Sequence, residues 1–207
     1  PRAGLYAEVR QDFAGAGGDA KFIRSTSEVR MYREITDDFV GVVKGMAGYV
    51  YGNNLRVIDN FNLGPALVRG FAPGGIGPRD TAVDPRMNAL GGTTYFGGST
   101  EVQFPVFGMP KEVGMKLAVF ADAGTLFGYD GKRNFGYLCA SGGTCYGGVT
   151  SYTNLQVHDS HMIRSSVGTS LIWASPLGPI RFDFAKAITK DTYDRTQFFR
   201  FSGGTSF

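Results

Sequence analysis

No run of about 18 apolar residues occurs anywhere in the chain, which excludes a transmembrane helix. No basic stretch followed by an apolar core opens it, so no secretory signal is visible, and Pro1 reads as a cut into a longer protein. An excess of one charge is also missing. The net charge is +3 and charged residues are 19%, which points neither to a nucleic-acid binder nor to a disordered chain. No segment shows a helical period. The motifs of common catalytic sites are absent too: there is no Gly-x-Ser-x-Gly, "GYDGKRN" lacks Walker spacing, and "APGGIGPRD" follows no strand-to-helix pattern. An enzyme is therefore not expected, and neither is a cofactor.

Cysteine is scarce, with Cys139 and Cys145 together in "CASGGTC". The short glycine-bearing spacer can close a small disulfide loop in an oxidising compartment; two free thiols are the plainer alternative. His158 and His161 stand in "HDSH", but a zinc site needs more ligands than this region offers, so no metal is expected. A missing apolar helix does not exclude a membrane, because a closed β-barrel satisfies its backbone in lipid without one.

What the 207 residues do contain is 31 Gly, 17 Phe and 10 Tyr, a composition that favours β-structure. Apolar and polar residues alternate along most of the length. Met115, Leu117, Val119 and Ala121 oppose Lys116, Ala118, Phe120 and Asp122. Ile180, Phe182 and Phe184 oppose Arg181 and Asp183. Ile163, Val167 and Leu171 oppose Arg164, Ser166, Gly168 and Ser170. The earlier segments carry Glu8, Arg10 and Asp12, then Arg24, Thr26, Glu28 and Arg30, on their polar side. "FVGVVKGMAGYVYG" is less clean, since Val40 and Val42 share a face with Lys44.

A soluble sandwich would turn the apolar face into a core; a membrane barrel would turn it to lipid and keep a polar lumen. Three features favour the barrel. The polar faces are charged or small along whole strands. Aromatics gather near strand ends (Tyr49, Tyr51, Phe104, Phe107, Trp173, Phe207), as an interfacial girdle requires. The links alternate in length: short at residues 33–38, 105–112 and 175–179, long at 14–20, 53–92, 127–162 and 186–196. That is the pattern of short inner turns and longer outer loops. The expected fold is an all-β, antiparallel transmembrane β-barrel with about eight strands of the ~10 residues that a tilted crossing needs.

Residues 64–80, "GPALVRGFAPGGIGPRD", form a loop too long to enter a barrel of about eight strands, whose interior side chains already fill. Either the loop stays outside or these strands are only part of a wider barrel, and the second is the preferred reading. Val68-Arg69-Gly70-Phe71, followed by Gly77-Pro78-Arg79, resembles the sixth outer loop of the BamA-type outer-membrane protein insertases. "STEVQFP", "VFADAGTLF", "SLIWASPLGPIRFDFAKAI" and the terminal "FRFSGGTSF" resemble that family's last strands in order and spacing. The resemblance implies the C-terminal half of a barrel of about sixteen strands, preceded in the family by POTRA domains and the first strands. It divides residues 1–207 into one barrel region with an in-folding loop at 53–92 and a further outer loop at 128–160.

The resemblance also implies that Arg69 folds into the lumen and pairs with Glu101 and Asp122. Their positions on the polar parity of adjacent strands support this, and a withdrawn guanidinium needs carboxylates. Counted outward from a turn near Gly108, Asp122 lies several residues further up than Glu101, so strand tilt or a bulge at Pro105 would be needed to bring the two together. Arg69 either only tethers the loop or also supports activity. The alternating aromatics Phe199, Phe201 and Phe207 resemble the terminal strand of an outer-membrane barrel, and in this family that strand forms one side of a seam. Gly203-Gly204 would weaken and bend it.

The function so implied is folding and insertion of β-barrel proteins in the bacterial outer membrane, by addition of the incoming strand at an open seam. Its partners would be unfolded barrel substrates, the lipid bilayer and assembly-complex lipoproteins, with no nucleic acid. The alternative is a passive or protein-secreting pore of the same superfamily, TpsB-like or TamA-like.

Overall fold

A computed structural model describes residues 3–15, 17, 21–53, 55–81, 88–110, 113–133, 155–175 and 178–203. Eight strands build one antiparallel sheet: β1 (Gly4–Ala14), β2 (Lys21–Thr36), β3 (Phe39–Asn53), β5 (Thr94–Pro105), β6 (Met115–Phe127), β8 (Arg164–Ser175), β9 (Gly178–Thr189) and β10 (Phe199–Gly203). Each strand pairs with its predecessor in this series, so the sheet is a meander. Two residue pairs, β4 (Arg79–Asp80) and β7 (Val157–His158), form a separate ladder. Among the described residues β1 and β10 are edges and do not pair with each other.

The period-two pattern decides which way the sheet faces. The apolar set points outward and stays exposed: Val9 is 76% exposed, Val119 45% and Phe184 41%. Their polar-parity neighbours Glu101, Asp122, Ser166, Ser170 and Asp183 are buried on the concave side. A soluble sandwich would invert this arrangement. In hydrocarbon the same arrangement places apolar side chains in lipid and satisfies the backbone between strands. Tyr49, Tyr51 and Phe107 are exposed near strand ends, and Trp173 Nε1 donates to the Val113 carbonyl at 3.1 Å beside the short turns. Val42 and Lys44, which blurred the pattern in β3, both line the interior.

Two readings of the sequence need correction. The β5–β6 register runs without a bulge from Pro105 opposite Lys116, so the hairpin is centred beyond Pro110 rather than near Gly108. Asp122 therefore lies opposite Ser99, two residues from Glu101, and shares its face without tilt or bulge. The interior is also not polar throughout. Towards the long loops Leu67, Val68, Phe71 and Ile76 pack on Val50, Tyr95 and Leu126 of the wall in an apolar core, while Arg79 and Arg164 are buried in the same half. Inward-facing apolar residues at strand tops break the alternation because the loop occupies the space there.

Candidate functional site

The apolar core carries the loop down to mid-barrel, and Arg69 emerges below it. Its guanidinium binds Asp122 bidentately, with Nε to Oδ2 at 2.7 Å and Nη2 to Oδ1 at 2.7 Å. The Arg69 backbone N–H donates to the same carboxylate at 2.9 Å. Nη1 reaches Glu101 Oε2 at 2.6 Å, and Nη2 reaches Ser99 Oγ at 2.8 Å. The guanidinium carbon lies 3.4 Å from the centroid of the Phe120 ring. Fork, anion and ring face suit one another: a planar guanidinium can be bidentate at its edge and stacked on its face, which an ammonium cannot. Gly70 follows with φ +90°, a region open to glycine, and turns the chain away from the anchor.

Ser99 and Phe120, and the contacts that extend this network to β9, were not singled out as partners from the sequence. Phe120 breaks the rule that lumenal positions are polar, and its signal is an aromatic on the polar parity two residues before Asp122. Arg181 on β9 binds Glu101 through Nη2 at 2.6 Å and Asp183 through Nε at 2.7 Å, and Ser170 donates to Asp183 at 2.5 Å. Glu101 thus lies between two guanidiniums, and the network extends from the loop across β5 and β6 to β9. Arg181 and Asp183 sit on the polar parity of their strand; what the sequence could not show is that they reach across the lumen.

A family model for the Omp85 superfamily domain matches residues 1–207. The chain belongs to the Omp85 superfamily. It is 35% identical over 205 residues to the outer membrane protein assembly factor BamA of Neorickettsia risticii, a match covering 97% of this chain and 24% of that protein. Identity to BamA of Neisseria meningitidis serogroup B is 28%, covering 100% of this chain and 26% of that one. A human sorting and assembly machinery component 50 homolog is 30% identical over 135 residues, 61% of this chain and 28% of the relative. The crystal structure of BamA from Haemophilus ducreyi lacking POTRA domains 1–3 superposes with a TM-score of 0.74 at 22% identity, covering 97% of this chain and 38% of that one. The chain spans about a quarter of the length of its curated BamA relatives. It is a BamA-type C-terminal barrel segment.

In this Omp85 barrel β10 pairs with β9 from Phe199 opposite Phe184 to Gly203 opposite Ile180. Phe199 and Phe201 point outward. Gly204, Phe207, Cys139 and Cys145 lie outside the described residues, and with them the expected disulfide. His158 Nε2 stands 3.1 Å from Asp191 Oδ2 and its ring meets Tyr193 edge-on, whereas the His161 ring packs on Phe127 at 4.3 Å. The structure does not bring the two histidines to a common site.

Asp191 lies in the outer loop before β10. Burial pushes its carboxyl up, but hydrogen bonds from Ser160 and His158 outweigh this and hold it below the ordinary value. A depressed carboxylate contributes stability above its unfolded pKa of about 3.9 and loses it as pH falls through the folded value. Acidification below about pH 4 is therefore expected to lower the protection of amides across residues 190–198 relative to their intrinsic exchange rate at each pH. Asp191→Asn should flatten that response, as pH-stepped hydrogen exchange would show.

Proposed function

We propose that this segment belongs to a bacterial outer-membrane assembly factor that folds and inserts β-barrel proteins. Barrel substrates and the bilayer are its partners; lipoproteins of an assembly complex would dock on domains outside this chain. Arg69 holds the in-folded loop, with Val68, Gly70 and Phe71 seating it. Glu101 and Asp122 receive it, and the strand through Phe199, Phe201 and Gly203 forms one side of the seam. The observation that carries this reading is the anchored loop. It fills the outer half of the lumen with an apolar core, as suits a barrel that works at its wall rather than through an open channel. In this reading an incoming strand would add along β10, which among the described residues pairs with β9 on one side, and burial of its apolar face in lipid supplies the driving force. No nucleotide is required.

A passive pore is favoured by one feature, a cavity of about 500 Å³ below the loop lined by Arg30, Lys44, Lys116, Arg181 and Arg200. Reconstitution separates the two readings. The full-length protein in lipid vesicles should accelerate folding of a urea-unfolded outer-membrane barrel at least tenfold and conduct weakly. Strong conductance without acceleration would replace the assembly reading by the pore.

A further inference from the structure

The loop that carries Arg69 does not end its contacts at the anchor. Its next residues run antiparallel to the chain that leads into β10. Gln197 N–H donates to Gly70 O at 2.9 Å, Ala72 N–H to Arg195 O at 2.9 Å, and Arg195 N–H to Gly75 O at 3.0 Å. Phe71 and Thr196 are bridge partners between them. The ladder continues without a gap, because Ala185 N–H donates to Phe198 O at 2.9 Å and Phe199 then pairs with Phe184. The same approach segment is held from the other side. The fully buried Arg164 of β8 binds Asp194 through Nε at 2.9 Å, and Asp194 accepts from the Asp191 amide at 2.7 Å.

We infer that residues 70–75 are a clasp on the terminal strand, so that the freedom of β10 to leave β9 is set by whether the in-folded loop is seated. Three main-chain hydrogen bonds join the loop to the five residues before β10, while β10 itself pairs with β9 over five described residues. Opening the upper end of β10 thus requires either that the clasp break or that the loop move with it. Arg69, six residues before Gly75, becomes a positioning residue for the seam as well as an anchor within the lumen. Gly75 belongs to the device for a steric reason. A Cβ there would stand 2.5 Å from Arg195 O and 2.6 Å from Ala72 O, both main-chain atoms. Alanine at 75 would push the two segments apart without touching the carboxylates that hold Arg69.

The clasp goes beyond the assembly reading, since it can be measured without any substrate. Hydrogen exchange on the full-length protein in lipid nanodiscs should show residues 195–203 protected. Gly75→Ala should speed exchange there at least tenfold while the Arg69 amide and the β8–β9 ladder keep their protection. Equal protection of residues 195–203 in Gly75→Ala and wild type would overturn the clasp. Should that variant fail to accumulate, a covalent arm remains. Phe71 and Thr196 form a non-hydrogen-bonded pair, whose Cα spacing of about 4.5 Å suits a disulfide. With Cys139→Ser and Cys145→Ser as background, Phe71→Cys combined with Thr196→Cys should cross-link on oxidation. Oxidation should then slow exchange across residues 195–203 at least tenfold relative to the reduced double variant, reversed by reductant. Failure to cross-link would overturn the clasp; cross-linking with protected β10 in a protein that never accelerates folding would leave the clasp standing and remove the assembly reading.

Discussion

Arg69→Ala is expected to unseat the loop and abolish assembly activity in the full-length protein, with the barrel losing resistance to unfolding. The size follows from what is left behind. Among the described residues the ion pairs of Asp122 run to Arg69 alone, and its side chain is 2% exposed, so the variant buries an uncompensated carboxylate. Breaking such a pair costs about 3–5 kcal/mol. Glu101 suffers less, because Arg181 still binds it at 2.6 Å. Asp122→Asn should therefore resemble Arg69→Ala more closely than Glu101→Gln does, in both urea midpoint and assembly rate. Arg69→Lys restores charge but neither the fork nor the stacking on Phe120, and should recover only part of the loss. Full activity in Arg69→Lys would mean that charge alone holds the loop.

Val119→Arg is the second large effect, and it tests the outer face. Val119 is outward-facing and exposed near the middle of β6, where its register neighbours are Val102 and Thr169. A guanidinium there enters hydrocarbon at a cost of about 2–4 kcal/mol near the midplane. The matched control is Gln103→Arg, which lines the cavity beside Glu101 and should change stability by about 0.5 kcal/mol or less. Reversible unfolding of the two variants in lipid, read by tryptophan fluorescence or gel mobility, gives the comparison. Equal effects on both faces would mean that the sheet does not separate lipid from lumen.

Most of the fold was legible because strand periodicity is local. Reading Val119 and Ala121 against Phe120 and Asp122 requires only that side chains alternate, and the alternation of long and short links then orders the meander. The register of β5 on β6 was less legible, since it depends on where the turn closes; a shift of that centre past Pro110 was enough to bring Glu101 and Asp122 within reach of one guanidinium. Arg69 and its two carboxylates stood out through parity and resemblance. Phe120, Arg181 and the clasp at residues 195–197 did not, because each depends on a contact across the lumen or between loops far apart in sequence. Val50, Tyr95 and Leu126 show the same limit from the other side. They face inward and are apolar, against the rule for a wet lumen, because a loop distant from them in the chain packs on them.

The central claim is that one face of each strand meets hydrocarbon while the other encloses the anchored loop. Spin labels placed singly at Leu117, Ala118, Val119, Phe120 and Ala121 of the full-length protein in bilayers test it most directly. Collision rates with oxygen, which concentrates in lipid, should be high at 117, 119 and 121 and low at 118 and 120. A flat profile, or low oxygen access at 117, 119 and 121 alike, would contradict it.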